Sequence, residues 1–269
     1  MQLVKLMGGL GNQMFQYAFA KALGDKNILF YGDYKKHSLR KVELNRFKCK
    51  AVYMPRELFK YLKFVFTKFD KIEYMRSGIY VPEYLNRDGN HIYIGFWQTE
   101  KYFKQIRPRL LKDFTPRKKL DRENAGIISK MQQINSVSVH IRRTDYVDES
   151  HIYGDTNLDY YKRAIEYISS KIENPEFFFF SDDMAYVKEK FADLKFPHSF
   201  IDINSGKNSY KDLILMKNCK HNIIANSTFS WWGAWLNENT EKIVIAPAVW
   251  FIQGENDKDI ICLLYTSPS

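Results

Sequence analysis

The sequence predicts an α/β protein of two domains, each a parallel sheet wound with helices. Three observations predict it. Through the second half, short β-branched or aromatic runs alternate with helical stretches of roughly 9–15 residues, a rhythm that builds a parallel sheet covered on both faces. At the N-terminus a strand, a glycine-rich turn and a helix follow one another. Charge also divides the chain. Residues 1–120 hold 25 Lys+Arg and 10 Asp+Glu, a balance of +15; residues 121–269 hold 16 and 21, a balance of −5, and the sum is the net +10. A chain of 269 residues accommodates two domains, each typically of about 100–150 residues. We place the domains at 1–120 and 121–269, with Lys112–Leu120, which contains Pro116 and four basic residues, as the linker.

In order, Gln2–Leu6 alternate and read as a strand, and GGLGNQM turns into a helix from about Asn12 to Leu23, with Phe15, Ala18, Phe19 and Ala22 at helical spacing. Asn27–Tyr31 is a second strand, and residues 35–50 are basic and irregular. Pro55, favourable at a helix start, opens a helix through Phe69. Leu58, Leu62, Val65, Phe66 and Phe69 form its apolar side; Lys60, Lys63, Lys68 and Lys71 form its wet side. Residues 75–90 read as loop, His91–Trp97 as a strand and Glu100–Phe103 as a short helix. The second half predicts helices over Arg122–Ile134, Leu158–Ile172, Met184–Ala192, Tyr210–Asn218 and Thr228–Leu236. Strands are predicted within Ser136–Val147 and over Phe177–Phe180, Ser199–Ile203, Asn222–Ala225 and Lys242–Ala246.

Hydrophobic residues make up 45% of the chain, with only 13 Gly and 8 Pro, so it is an ordered globular protein. The 18 Tyr, 20 Phe and 5 Trp suit a large core and also flat surfaces on which sugar rings stack. Cys49, Cys219 and Cys262 are odd in number and far apart, which fits a reducing compartment rather than a disulfide framework. The N-terminal MQLVKLMGGLGNQM has no apolar run long enough for a signal peptide or spanning helix, so a cytoplasmic location is expected. The basic half is a solvated face, or it meets an anionic membrane or polymer. No nucleic-acid motif accompanies it, and no nucleic-acid partner is expected.

Residues with chemistry to offer cluster at strand ends. In SVSVHIRRTDYV, Val137, Val139 and Ile141 read as a buried strand that runs into His140, Arg142, Arg143 and Asp145. His140 and Arg142 share a face, while Arg143 points the other way. Two guanidiniums at the carboxyl end of a parallel strand suit a phosphorylated ligand, and equally an Arg–Asp ion pair. Ser181-Asp182-Asp183 follows the phenylalanine strand and reads as a ribose binder, a metal pair or a helix cap; no third ligand stands at metal spacing, so no metal is expected. Asn226-Ser227-Thr228 opens a helix and reads as a phosphate cradle or a simple cap. The Trp231, Trp232 and Trp235 cluster after it reads as core. Asp212 starts an apolar helix, an ordinary place for a carboxylate that could also accept from guanine N1–H and N2–H₂. Near the N-terminus, Gly9 and Gly11 allow close backbone approach, and Asn12 and Gln13 place polar groups at a helix start; equally, the stretch is a tight structural turn with Asn12 as its cap. Met14 occupies the third position of G-x-G-x-x-G, so the dinucleotide fingerprint fails.

Taken together, GGLGNQMFQYA at 8–18, HIRRTDY at 140–146 and NSTFSWWGAWL at 226–236 resemble the bacterial α1,2-fucosyltransferases of glycosyltransferase family 11, with FFFFSDD at 177–183 and KDLILMKNCKHNIIAN at 211–226 adding to the match. The resemblance implies a GT-B-type fold, two Rossmann-like domains facing across a cleft. It implies GDP-β-L-fucose as donor on the second domain, no metal or other cofactor, and inverting transfer to the 2-hydroxyl of a galactose. The acceptor would be a galactose-terminated oligosaccharide or a lipid-linked glycan. By its charge, the basic first domain is expected to make peripheral contact at the inner face of the membrane where such glycans are built. The resemblance also implies roles. Arg142 clamps the β-phosphate with Arg143 in support, His140 lies near the nucleoside, and Asp145 orients the arginines or approaches the reacting centre. Ser227 and Thr228 bind diphosphate, Asp212 reads guanine, and the first domain, with Asn12, meets the acceptor. Asp145, Asp148, Glu149 and Asp155 all lie near the clamp, and no motif selects one as base. Another GDP-sugar transferase and a non-catalytic GDP-sugar-binding module are the alternatives. Residues 262–269, CLLYTSPS, depart from the family's ending and read as a non-native tail.

Overall fold

The computed structural model describes residues 1–24, 28–31, 42–68, 72–74, 80–143 and 157–250. They form two compact units, Met1–Lys119 and a second from Leu120 onward. Each is built on a wholly parallel sheet. Asp145, Asp148, Glu149, Asp155, Cys262 and the 262–269 tail lie outside the described residues.

The first unit orders its strands β2-β1-β4-β3: β1 Gln2–Lys5, β2 Ile28–Tyr31, β3 Ile72–Tyr74 and β4 His91–Ile94. Helix α1, Leu10–Ala22, is buried almost end to end. Its Phe19 stacks on Trp97, centroids 4.0 Å apart and 5° from parallel. The N-cap of α1 is Gly9, not Asn12, which lies inside the first turn. Helix α2, Arg56–Lys68, lays Phe59 and Leu62 on a core of Leu3, Met54 and Ile92. The apolar side predicted for α2 included Leu58, but Leu58 is 48% exposed. The β3 strand lies in a stretch not predicted as structured; three residues are too few for a readable period.

The predicted linker is partly structure. Lys112 belongs to α3, Arg107–Asp113, and Phe114 is fully buried. Pro116 bridges Phe47, and Arg117 N–H donates to Arg46 O at 2.8 Å. An aromatic residue in the middle of a basic run anchors the segment to the first unit.

The second unit has five strands in the order β7-β6-β5-β8-β9: β5 Asn135–Ile141, β6 Pro175–Ser181, β7 His198–Phe200, β8 His221–Ile223 and β9 Val244–Ile245. Its helices are α4 Arg122–Gln133, α5 Leu158–Lys171, α6 Met184–Lys190, α7 Tyr210–Asn218 and α8 Thr228–Leu236. Alternation along β5 sends Val137, Val139 and Ile141 into an apolar core with Phe177, Phe179 and residues of α5 and α6. The other face is polar although buried: Asn222 donates to Ser138 Oγ at 2.7 Å and Asn237 donates to Asn222 Oδ1 at 2.8 Å. Ser138, Asn222 and Asn237 satisfy one another there, which keeps the cost of burying them low. All three tryptophans of α8 are core, as predicted. Gly233 lets α8 approach α7 closely; a Cβ at that position meets Met216 Cβ at 3.0 Å. No described helix is long and apolar enough to cross a membrane.

Candidate functional site

In the second sheet β6 and β7 lie to one side of β5, and β8 and β9 to the other. The strand order therefore switches between β5 and β8. Ligands of parallel sheets bind at such a point, outside the carboxyl ends of the strands. The predicted motifs meet there. HIRR ends β5, NST follows β8, and SDD ends the neighbouring β6, with Ile141 paired to Ser181 in register.

His140 is buried and packs its ring against Phe229 of α8, centroids 5.8 Å apart. Burial and then the adjacent Arg142 charge push its pKa down to about 4, so it is neutral at pH 7. Its Nδ1 is buried and has no hydrogen-bond partner among the described residues. Phe229 was not singled out from sequence, since an aromatic in the first turn of a tryptophan-rich helix looks like more core.

The two arginines differ. Arg143 is held on the end of β6: its backbone N–H donates to Asp182 Oδ1 at 2.9 Å, its Nε lies 3.5 Å from Asp183 Oδ2, and its guanidinium carbon sits 3.6 Å from the Tyr186 ring centroid. Arg142, half-buried, lies close enough to His140 for its charge to lower the histidine's pKa. Asp183 caps α6, its Oδ1 accepting from Tyr186 N–H at 3.1 Å. In the SDD turn, then, Asp183 caps α6 and both aspartates hold Arg143. No group of three His, Cys, Asp or Glu side chains among the described residues is disposed to hold a metal.

At the start of α8, Ser227 is the N-cap and its Oγ accepts from Phe229 N–H at 3.3 Å. First-turn N–H groups of a helix have no intrahelical partner and lie at the positive end of the dipole, which favours an anion. Asn226 is buried and donates to Trp250 O at 3.3 Å.

Asp212, in the first turn of α7, is half-buried. Burial raises its pKa to about 7, against the lowering effect of a hydrogen bond from Asn204 Nδ2 at 2.8 Å. Asn204 and Asn124 form a reciprocal amide pair. Asn124 also donates to both oxygens of Asp121, the N-cap of α4, at 3.0 Å. Lys211 Nζ reaches Asp121 Oδ2 at 2.7 Å. This network joins residues 80 and 90 positions apart, and no local spacing announces it.

In the first unit the order switches between β1 and β4. Gly8, not Gly9 or Gly11, carries the left-handed φ of +76°. Asn12 accepts from Gln98 Nε2 at 2.9 Å, tying the turn after β1 to the segment after β4. Trp97, just before Gln98, has φ 57°, an uncommon conformation for so bulky a residue. Gln13 is fully buried: it donates to Gly8 O at 3.0 Å and accepts from Glu43 N–H at 2.9 Å, so its amide serves the chain.

The sequence profile of glycosyl transferase family 11 matches residues 1–259. The chain belongs to that family. An alpha-1,2-colitosyltransferase of Escherichia coli is 34% identical over 93% of this chain and 92% of its own length. The O-antigen biosynthesis glycosyltransferase WbnK of Escherichia coli is 30% identical over 94% and 96%. The mouse galactoside 2-alpha-L-fucosyltransferase Sec1 is 27% identical over 57% of this chain and 44% of its own length. A crystal structure of POFUT1 in complex with GDP is similar at 12% identity and a TM-score of 0.49, over 90% of this chain and 97% of that one. This family 11 chain is a glycosyltransferase with fucosyltransferase-like relatives. Two Rossmann-like units in one glycosyltransferase chain are the composition of the GT-B class.

Proposed function

We propose that this family 11 glycosyltransferase moves L-fucose from GDP-β-L-fucose to the 2-hydroxyl of a galactose, with inversion at the anomeric carbon. The observation that carries the donor half is the convergence at the β5/β8 switch of a buried neutral His140, Arg142 and the first turn of α8. In this reading the α8 N-terminus and Ser227 and Thr228 hold the diphosphate, and Arg142 meets the β-phosphate oxygen on which charge grows as GDP leaves. Fixed donors aimed at developing charge typically supply about 10²–10³-fold in rate each. Arg143, pinned by Asp183 and Tyr186, orients the end of β5. His140 Nδ1 faces the nucleoside, and Asp212 accepts from guanine. The galactose hydroxyl attacks the fucose anomeric carbon as the glycosyl–phosphate bond breaks, and the acceptor is held on the first unit near Asn12 and Gln98. Cationic side chains and a helix terminus meet the leaving-group charge, so the reaction proceeds without a metal.

One second reading keeps every step and changes the sugar. The 34% identity to an alpha-1,2-colitosyltransferase favours a colitosyl donor. Fucose and colitose differ by one hydroxyl, and a pocket that hydrogen-bonds that hydroxyl discriminates strongly against the sugar lacking it. The deciding experiment incubates the protein with GDP-fucose or GDP-colitose and a panel of galactosides, with and without EDTA, and assigns the product linkage by NMR. An α1,2-linked fucoside formed equally well with EDTA supports the proposal. Preference for GDP-colitose moves the chain to the second reading, and donor binding without transfer or hydrolysis rejects both.

A further inference from the structure

We propose that α2 is an interfacial helix that seats the protein on an anionic lipid surface. The inference rests on the first unit alone and stands whichever sugar is transferred. Helix α2 has two unlike sides. One buries Phe59 and Leu62 on the core of the first unit. The other exposes Leu58, Tyr61 and Phe64, at 48%, 67% and 61%, spaced three residues apart. Five of the nine exposed large apolar side chains of the described residues, these three with Val52 and Tyr53, fall between positions 52 and 64. So strong a concentration on one helix and its lead-in marks a contact surface, since scattered single apolar residues are the ordinary condition of a protein surface.

Charge selects the partner. Lys60, Lys63 and Lys68 are all exposed on α2, and Lys68 Nζ lies 4.9 Å over the Phe64 ring. Glu57 is the one carboxylate of the helix. A second copy of the chain would oppose these lysines with lysines, which disfavours self-association. A nucleic-acid backbone would pair the lysines but gain nothing from Leu58. An anionic bilayer uses both: Leu, Phe and Tyr side chains enter the boundary between headgroups and acyl chains, while lysines extend to the phosphates. Leu58 and Phe64 with interleaved lysines are the composition of a helix that lies in the membrane plane rather than across it. Seated this way, a glycosyltransferase meets acceptors carried on lipids at the same surface.

The test is sedimentation of the full chain with vesicles of phosphatidylcholine alone or mixed with phosphatidylglycerol. The protein is expected to bind the mixed vesicles about tenfold more tightly than the neutral ones and to be released by high salt. Tyr61→Ser/Phe64→Ser is expected to weaken binding to the mixed vesicles about tenfold through loss of inserted apolar surface. Lys60→Gln/Lys63→Gln/Lys68→Gln, which removes three positive charges and keeps the exposed Leu58, Tyr61 and Phe64, is expected to abolish the preference for phosphatidylglycerol. Both variants alter exposed side chains, and circular dichroism with thermal unfolding checks that the fold is kept. Failure of the native protein to sediment with mixed vesicles, equal binding to both vesicle types, or unchanged binding by the folded variants overturns the proposal. So does a concentration-dependent dimer that Tyr61→Ser/Phe64→Ser dissociates, which assigns the face to a second copy.

Discussion

Asn204 divides its side-chain amide between two partners: Nδ2 donates to Asp212 Oδ1 at 2.8 Å and to Asn124 Oδ1 at 2.8 Å. The carboxylate assigned to guanine is therefore positioned from α4, the first helix of the second unit, through an amide pair that Asp121 completes. Removing the donor leaves Asp212 half-buried with no compensation from Asn204 for its desolvation. Asn204→Ala is expected to raise the donor KM about tenfold, the effect of losing roughly 1–2 kcal/mol of a charge-assisted hydrogen bond, with kcat nearly unchanged. Steady-state kinetics separate the two. A fall in kcat at constant KM would assign Asn204 to the chemistry instead.

With Asp212 accepting from guanine as proposed, its pKa sets the pH dependence of donor binding. A carboxyl group with a pKa of about 7 is half protonated at neutral pH, and a protonated carboxyl offers guanine a donor where an acceptor is needed. The donor KM is expected to rise up to about tenfold per pH unit below 7 and to level off above 8. The sign for stability is opposite. The folded pKa lies above the unfolded value of 3.8, so this group's contribution to stability declines as pH rises from about 4 to 7. Asp212→Asn is expected to flatten the KM profile, weaken donor binding and raise the pH 8 unfolding midpoint, a trade of stability against function. Isothermal titration with GDP from pH 6 to 8 tests the binding arm.

The paired arginines of HIRR are expected to separate in mutagenesis. Arg142→Ala removes the guanidinium assigned to the leaving phosphate, and kcat is expected to fall about 10²–10³-fold with the thermal midpoint little changed. Arg143→Ala breaks the Asp183 contact and the Tyr186 stack. A cation–π pair at a partly exposed site contributes about 0.5–1 kcal/mol, so that variant is expected to lose stability first and to keep more activity. Equal losses of kcat in both would mean that the two guanidiniums share the phosphate.

Much of the arrangement at the β5/β8 switch was legible because its signals are local. Val137, Val139 and Ile141 running straight into His140, Arg142 and Arg143 marks a buried strand with a polar end, and the capping roles of Asp183 and Ser227 follow from residue type at a helix start. What the reading missed depends on contacts between residues distant in sequence. The Asn124–Asn204 pair spans 80 positions, and the Ser138–Asn222 bond spans 84. In α2 the period identified a helix, but Leu58 and Phe59 are adjacent apolar residues and only tertiary packing decides that Phe59 faces inward. Asn12 was a plausible cap by type; the turn instead uses Gly9 at the cap and Gly8 for its left-handed step.

Gly8 combines two requirements that one substitution violates. Its φ of +76° strains any L side chain, and a Cβ there would stand 2.5 Å from Asn12 Nδ2. Gly8→Ala is expected to cost about 1–3 kcal/mol from the backbone conformation and to push Asn12 away from Gln98. Acceptor KM should therefore rise while GDP affinity, which the proposed function assigns to the second unit, stays constant. A variant with unaltered acceptor KM would show that the Asn12–Gln98 pair does not serve the acceptor.

Acid should expose the cost of burying His140. Its folded pKa of about 4 lies below the ordinary 6.5, so the neutral ring is favoured in the native state. The associated stability is complete above pH 6.5 and is lost as pH falls from 6.5 toward 4. At pH 5 the deficit is 1.5 pH units, or about 2 kcal/mol at 1.36 kcal/mol per unit. His221, also lowered to about 4 and accepting from Ile243 N–H at 3.0 Å, behaves alike. Asp212 works in the opposite direction over this interval, so the informative quantity is the difference between native and variant proteins. His140→Gln carries no titratable group, and its loss of unfolding free energy between pH 7 and pH 5 in urea is expected to be smaller than the native protein's by about 2 kcal/mol. An equal loss in the two proteins would mean that the imidazole is solvated in the free enzyme, and a solvated ring could not present an unpaired Nδ1 to the nucleoside.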